Sequence, residues 1–336
     1  MSASSFLVLG ASLLSWAVLL VTSRVLLVGS GLDPWLFTLI QMTAGGAFLM
    51  VIAGRGTGIM EALRNPYTWL YGVLRVATAA FFTAALVHTT TANAAFLGIV
   101  SVPISMVVLW LVLSRRPSRL ELPGHVAVLL GLALLAQSLE GGWRNPALVL
   151  MMLSELCVVV STLIAELHPL NQTDDTRQRA RLTGIMLLAS ALFMLAAALG
   201  LGLLARWLPG LRMAVPGDLA WVADPALALD PYLWASAGLV GVLLRGPSVF
   251  LSLKAIHRVR TENYIAGVAA LPFMSLALEA AATALGWLAP APPAGAATLF
   301  GTVATLGSLS VLWTRSRKAK AGIAAPAGKR VRTGTG

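Results

Sequence analysis

Two arginines stand in this sequence where a charge is energetically least favourable. Arg75 ends the motif "GVLR" at residues 72–75 and Arg245 ends "GVLLR" at 241–245, and both motifs lie inside long apolar segments. A charge at bilayer depth costs from about 3 to more than about 10 kcal/mol, so such residues usually have a functional partner. The planar fork of a guanidinium fits carboxylate and phosphate groups, which favours an anionic ligand.

Two glutamates lie in similar surroundings. Glu155 is near the middle of one apolar segment, and Glu279 follows Pro272 in another. A glutamate near an arginine can titrate, which gives proton coupling, or can balance its charge. The alternative interpretation is two buried Arg–Glu ion pairs that only hold helices together. The third basic residue in an apolar segment, Arg24, lies close enough to a segment end for its side chain to reach the membrane surface.

The composition requires a membrane environment for these charges. Of the 336 residues, 58% are hydrophobic and 11% are charged, and the mean hydropathy of +0.84 lies outside the range of soluble domains. The single cysteine, Cys157, excludes an intrachain disulfide and a cysteine-based metal cluster. No P-loop, HExxH, GxSxG or metal-ligand spacing occurs in the sequence. We therefore expect an all-α polytopic membrane protein that is not an enzyme and has no metal or cofactor.

Ten segments meet the length requirement for crossing a bilayer, which is about 20 apolar residues. The predicted spans are residues 6–28, 34–53, 67–87, 93–113, 121–139, 145–165, 183–206, 232–254, 262–286 and 298–314. Most connections are very short, so neighbouring spans must be antiparallel.

The basic residues predict the orientation. With the N-terminus in the cytoplasm, 18 of the 24 lysines and arginines fall on the cytoplasmic side, 3 on the other side and 3 inside spans. This asymmetry places both termini in the cytoplasm. The net charge of +11 is then a signal of topology, and nucleic-acid binding is not expected. The basic tail at 315–336 is predicted to be disordered and close to anionic lipid head groups.

Ten spans suggest two inverted halves of five, at residues 1–144 and 145–314, because many transporters are built from inverted repeats. An offset of 169 relates four pairs of residues: His88 and His257, Pro103 and Pro272, Gly98 and Gly267, and Gly72 and Gly241. The two arginines are offset by 170, since "GVLLR" has the extra Leu244. One extra residue turns a helix by about 100°. Both arginines can therefore face one cavity only if the local geometry absorbs that turn.

Three stretches carry a family resemblance. "TTTANAAFLGIVSVPISMVVLWLVL" places small residues before Pro103 and a long apolar run after it, and "TENYIAGVAALPFMSLALEAAATALG" has a corresponding arrangement around Pro272. "LDPWLFTLIQMTAGG" is similar to the second helix of sugar-phosphate transporters. With the five-plus-five layout, the chain resembles the drug/metabolite transporter superfamily, in its EamA-like and triose-phosphate/nucleotide-sugar branches. The resemblance implies a secondary transporter in a bacterial inner membrane that exports or exchanges a small polar metabolite by alternating access.

The substrate site is expected near the bilayer midplane between the two halves. The candidate substrate-binding residues are Arg75, Arg245, Glu155, Glu279, Gln41, Trp16, Tyr71, Asn93, Tyr264 and Asn263. Pro103 and Pro272 are candidate hinges, because each frees backbone carbonyls that can line a cavity. The alternative for each proline is a simple packing kink.

Two other functions remain open from the sequence. An intramembrane acyl- or glycosyl-transferase acting on lipid-linked substrates would use the acidic loop residues Asp218, Asp224 and Asp230, and a scaffold or receptor would transport nothing. The expected partners are a small-molecule substrate and the lipid bilayer. The tenth span has a small-residue face that is compatible with a homodimer or with packing inside one chain. Its residues are Gly301, Thr305 and Ser308.

Overall fold

A computed structural model describes residues 3–207, 229–289 and 295–324, and these residues form helices and short turns without a β-strand. The α-helices are α1 Ala3–Ser30, α2 Pro34–Ala53, α3 Ile59–Arg64, α4 Pro66–His88, α5 Thr91–Leu97, α6 Ser101–Leu113, α7 Leu122–Ser138, α8 Pro146–Leu167, α9 Thr176–Trp207, α10 Pro231–Val240, α11 Gly246–Gly267, α12 Leu271–Ala284 and α13 Ala296–Ala324. A π-helical turn, Gly241–Arg245, joins α10 to α11. Two 3₁₀ turns, Gly98–Val100 and Val268–Ala270, join α5 to α6 and α11 to α12.

Four of the long helices begin with the same local chemistry, an Asp or Asn followed by proline. The side chain of each capping residue accepts a hydrogen bond from a backbone N–H in the first turn, and the proline ring sets the helical φ angle. The four pairs are Asp33–Pro34, Asn65–Pro66, Asn145–Pro146 and Asp230–Pro231. The local sequence therefore determines where these helices start.

Nine helical segments of the described chain are long and apolar enough to cross a membrane, which agrees with a polytopic membrane protein. The longest, Pro231–Ala284, has 54 residues and contains the non-helical Arg260, with φ 65° and ψ 164°. The hydroxyl groups of Ser252 and Tyr264 are 2.9 Å apart. A straight helix would separate these residues by about 18 Å along its axis. The chain therefore folds back at Arg260, and this segment supplies two of the ten spans of the described chain.

Two helix ends differ from the sequence-based boundaries. Helix α9 begins at Thr176, before the predicted start at residue 183, and α13 continues to Ala324, beyond the predicted end at 314 and into the segment expected to be disordered. In both helices the extra turns are rich in basic residues, because a helix that extends past the bilayer no longer needs to be apolar throughout. The rest of the basic tail, residues 325–336, lies outside the described residues.

Glycines set the closest helix contacts. A Cβ atom at Gly45 of α2 would lie 2.6 Å from the carbonyl oxygen of Gly241, and one at Gly46 would lie 2.6 Å from the backbone nitrogen of Leu188 in α9. Helix α2 therefore packs directly on the backbone of the π turn on one side and of α9 on the other. Elsewhere α4 packs on α8, α1 on α11 and α12, and α7 on α13. Thr305 and Ser308 of α13 are buried, and Gly301 packs on the ring of Phe96 in α5.

Candidate functional site

Arg75 and Arg245 converge on a single aromatic ring. Arg75 projects from α4, Arg245 ends the π turn, and their guanidinium carbons lie 4.8 and 5.4 Å from the centre of the Trp16 indole on α1. Both arginines are buried, with exposed fractions of 6% and 1%. These distances are within the range of cation–π attraction. The indole therefore offsets part of the cost of burying two like charges together.

The π turn explains how the two unequal motifs reach one place. "GVLR" lies in the regular α-helix α4, whereas "GVLLR" forms the five-residue π turn. A π turn accommodates one residue more than an α turn. Leu244 is therefore absorbed locally, without the rotation of about 100° that an inserted residue imposes on a regular helix.

Gln41 on α2 holds Arg245 in position. The Nε and Nη2 atoms of Arg245 donate to Gln41 Oε1 at 3.1 and 2.9 Å, and Gln41 Nε2 donates to Ser23 Oγ at 3.3 Å. Gln41 has no exposed surface. Since Gln41 is neutral, it orients the guanidinium while leaving its charge uncompensated.

Arg75 is held less tightly. Its Nε atom is buried and has no hydrogen-bond partner in the described part of the chain. None of the ion pairs formed within that part includes Arg75, Arg245 or Glu155. This geometry differs from the alternative of buried Arg–Glu ion pairs, and it leaves donors available to an anion.

A cavity joins these groups to Glu155. Its wall includes both arginines, Trp16, Tyr264 and Glu155 of α8, and it offers about 70 Å³ to the centres of water molecules. That volume holds a few waters or a small ligand. The rest of the wall is mostly apolar, with two threonines: Leu13, Leu20, Ala79, Phe82, Val158, Val268, Leu271, Thr78 and Thr83.

Glycine makes room for the carboxylate at this wall. Glu155 is buried, and a Cβ atom at Gly98 would lie 3.2 Å from its Oε1 atom. Gly98 opens the 3₁₀ turn that precedes Pro103 by a few residues, and a second 3₁₀ turn precedes Pro272 in the same way. Residue Val268 of that second turn lines the cavity. Both irregular turns therefore lie at the site, beside the two candidate hinge prolines.

A hydroxyl network orients the indole. Trp16 Nε1 donates to Ser252 Oγ at 2.7 Å, Tyr264 OH donates to the same oxygen at 2.9 Å, and Ser12 Oγ lies 3.2 Å from it. Ser252 donates in turn to the carbonyl oxygen of Ser248 at 2.8 Å. Sequence reasoning missed these serines, because a serine in an apolar span has no distinctive spacing. They show their role only once α1 and α11 are packed together.

Besides Gln41, four predicted residues lie elsewhere than on the cavity wall. Tyr71 is buried one turn before Arg75, and Asn263 Nδ2 donates to the carbonyl of Val259 at 2.9 Å. The backbone N–H of Asn93 donates to Thr90 Oγ1 at 3.1 Å. Glu279 accepts hydrogen bonds from the backbone N–H groups of residues 91 and 92 at 2.8 and 3.1 Å, and its Oε1 atom is 3.4 Å from Arg24 Nη1. Glu279 thus caps α5 and pairs with the arginine that the sequence placed at the membrane surface.

The acidic loop is described only at its end. Asp230 caps α10 by accepting from Tyr232 N at 2.9 Å. Asp218 and Asp224 lie outside the described residues. The residues of the described chain contain no group of three or more His, Cys, Asp or Glu side chains placed to hold a metal ion.

Comparison with known proteins informs the fold. No family model matches the chain, and no curated protein sequence matches it. Among solved structures, one described only as "Crystal structure of protein" is 17% identical, with a TM-score of 0.57, over 94% of this chain and 100% of that chain. At this identity the likeness shows the helical fold alone. The function must therefore be argued from the site.

Proposed function

We propose that this protein is a secondary transporter of the ten-helix drug/metabolite type, which moves a small anionic metabolite across a bacterial inner membrane by alternating access. Both termini would be cytoplasmic, and the substrate would bind near the bilayer midplane. The observation that supports this most directly is the convergence of Arg75 and Arg245 on one cavity, without a carboxylate ion-paired to either. An anion would supply the missing countercharge.

The packing pattern supports two inverted halves. In such an arrangement α4 corresponds to the segment from α10 to α11, and α8 corresponds to α1. The contact of α4 with α8 then matches the contact of α11 with α1, while α2 with α9 and α7 with α13 are pairs of equivalent helices. The matching 3₁₀ turns in the fourth and ninth spans fit the same symmetry. The cavity would lie on the boundary between the halves, where rocking can expose it to either side.

Charge-assisted hydrogen bonds would supply the interaction energy for binding an anion. A hydrogen bond that involves an ionised group contributes about 1.5–3 kcal/mol to binding. Two bonds from Arg75 and one from Arg245 would therefore bind an anion with several kcal/mol of interaction energy, before the cost of desolvating it. The neutral contacts of Arg245 with Gln41 and of both guanidiniums with Trp16 need not be broken.

The experiment is a flux assay in proteoliposomes. A thermal-shift screen of purified protein against amino acids, sugar phosphates, nucleotide sugars and cationic drugs would first identify a ligand. We expect Arg75→Ala and Arg245→Ala to abolish its uptake while the protein stays folded, and Arg144→Ala, on an exposed arginine, to retain uptake. Normal flux in both cavity variants would refute the proposed role of the arginines.

A further inference from the structure

The cavity wall also restricts the body of the anion. Apart from the charged groups, its polar side chains are Thr78, Thr83, Trp16 and Tyr264. The Trp16 and Tyr264 donors are already used, because both donate to Ser252. The side-chain partners that remain for the hydroxyl groups of a ligand are Thr78, whose Oγ1 has no hydrogen-bond partner in the described chain, Thr83 and the Glu155 carboxylate, which are few for a ligand with many hydroxyls.

A polyhydroxylated ligand would fit this wall poorly. Each hydroxyl moved from water to an apolar wall loses hydrogen bonds that the wall cannot replace, which weakens binding. An aliphatic or aromatic body gains from the same transfer, because apolar atoms form most of the surface around it.

We infer that the transported anion is amphipathic: a carboxylate or phosphate monoester on an apolar body, rather than a sugar phosphate or nucleotide sugar. This inference rests on the proposed function. Arg75, with its unpartnered Nε, binds the anionic group, and Arg245 faces it in the orientation that Gln41 sets. The apolar body lies against Phe82 and Leu271.

Matched compounds test the inference. We would measure uptake of radiolabelled 3-phenylpropionate, phenyl phosphate, gluconate and glucose 6-phosphate into proteoliposomes, and we would measure binding to the purified protein with 3-phenylpropanol as the uncharged control. We expect the aromatic anions to be taken up at least tenfold faster than the hydroxylated anions. In Arg75→Gln the binding preference for 3-phenylpropionate over the alcohol should be lost.

The outcomes separate the two claims. Preferred uptake of gluconate or glucose 6-phosphate would overturn the amphipathic substrate while leaving transport in place. If none of the five compounds is taken up or bound, the inference and its basis in an anion transporter are both contradicted. The comparison of 3-phenylpropionate with phenyl phosphate shows whether the site prefers a carboxylate or a phosphate monoester.

A different observation carries a second inference, which concerns the two ends of the helix bundle. At the predicted cytoplasmic end, Arg115 Nη2 is 3.0 Å from Glu166 Oε1 and Arg115 Nη1 is 2.6 Å from Glu262 Oε1. At the opposite end, Arg24 pairs with Glu279. We call these two sets the inner cluster and the outer cluster.

The two clusters have the same construction. In each, the arginine belongs to residues 1–144 and the glutamates to residues 145–314. In each, a glutamate also caps a helix that leads to a 3₁₀ turn at the cavity: Glu166 Oε2 accepts from Thr261 N at 2.9 Å, and Glu279 accepts from Thr91 N at 2.8 Å. Each cluster therefore ties the two predicted halves together at one end.

We propose that the inner and outer clusters are latches that separate alternately as each face opens, so that the structure with both formed is closed at both ends. This proposal rests on alternating access. Breaking one latch should favour the conformation that is open on that side.

Thiol labelling tests the latches. In a Cys157→Ser background, Val158→Cys places one reporter on the cavity wall. We expect Glu279→Gln to speed labelling by an impermeant reagent several-fold from the outside and to slow it from the cytoplasmic side, with the converse for Arg115→Gln. The exposed residues Glu140 and Arg116, changed to glutamine, are the matched controls.

Two labelling results would refute the latches, and they differ in what they imply for alternating access. If the wild type is labelled from both sides and the latch variants behave like the controls, the latches are refuted and alternating access stands. If every variant, like the wild type, is labelled from one side only, the proposed transport cycle is refuted together with the latches.

Discussion

Replacing Gly45 by alanine tests the contact that positions Arg245. The added Cβ atom would lie 2.6 Å from Gly241 O, 2.8 Å from Gly246 N and 3.2 Å from Gly246 Cα. All three are backbone atoms, so no side chain can rotate away. Ordinary van der Waals contact begins near 3.4 Å, and α2 must therefore move away from the π turn by roughly 0.8 Å, the difference between 3.4 and 2.6 Å.

The cost follows from that displacement. Overpacking of this kind costs about 1–3 kcal/mol, from which about 0.5–1 kcal/mol is recovered because alanine is the better helix former. The same shift would stretch the Arg245 Nε to Gln41 Oε1 distance of 3.1 Å beyond hydrogen-bonding range. We therefore expect a net destabilisation of up to about 2.5 kcal/mol and weaker anion binding.

Thermal unfolding in detergent, with and without a bound anion, measures both effects. Gly10→Ala on α1 is the matched control, because a Cβ atom there meets nothing within 4 Å and should leave the stability unchanged or slightly higher. Equal unfolding temperatures for the two variants would refute the packing argument.

Three further predictions address the site and one helix end. Gln41→Glu gives Arg245 an anionic partner, so we expect anion binding at least tenfold weaker in a thermal-shift titration, with stability retained; unchanged affinity would contradict this. Trp16→Phe keeps an aromatic ring but loses the hydrogen bond to Ser252, and we expect the free energy of unfolding to fall by about 1 kcal/mol when thermal unfolding is measured without ligand. Burial lowers the pKa of His168 from its ordinary 6.5 to about 4, so the unfolded chain binds the proton more strongly. The contribution of neutral His168 to the free energy of unfolding should therefore be fully present above about pH 6.5 and should fall by about 2 kcal/mol on acidification to pH 5. His168→Gln should make the free energy of unfolding depend less on pH in this range.

Local sequence was sufficient for the spans. Each span depends on about 20 consecutive apolar residues, and several starts depend on an Asp or Asn beside a proline, so both can be identified without knowing the neighbours. The same reasoning selected Arg75, Arg245 and Glu155, because a charge in an apolar segment stands out whatever packs around it.

Partners depend on tertiary structure, because they come from residues distant in sequence. Arg245 and Gln41 are 204 residues apart, and they meet because glycines let α2 approach the π turn. Glu279 illustrates the same limit. Its place in an apolar segment marked it as a candidate for the cavity, but the packing of α12 on α5 places it at a helix N-terminus beside Arg24.

The paired motifs "GVLR" and "GVLLR" illustrate what the sequence determines and what the tertiary structure determines. The sequence by itself determined that two arginines must be buried in apolar helices, since hydrophobic length depends only on neighbouring residues. Only the tertiary structure decided that they face one cavity, because the direction of a side chain depends on helical phase. The π turn absorbs Leu244, and the contact with Gly45 and Gln41 holds Arg245 beside Trp16.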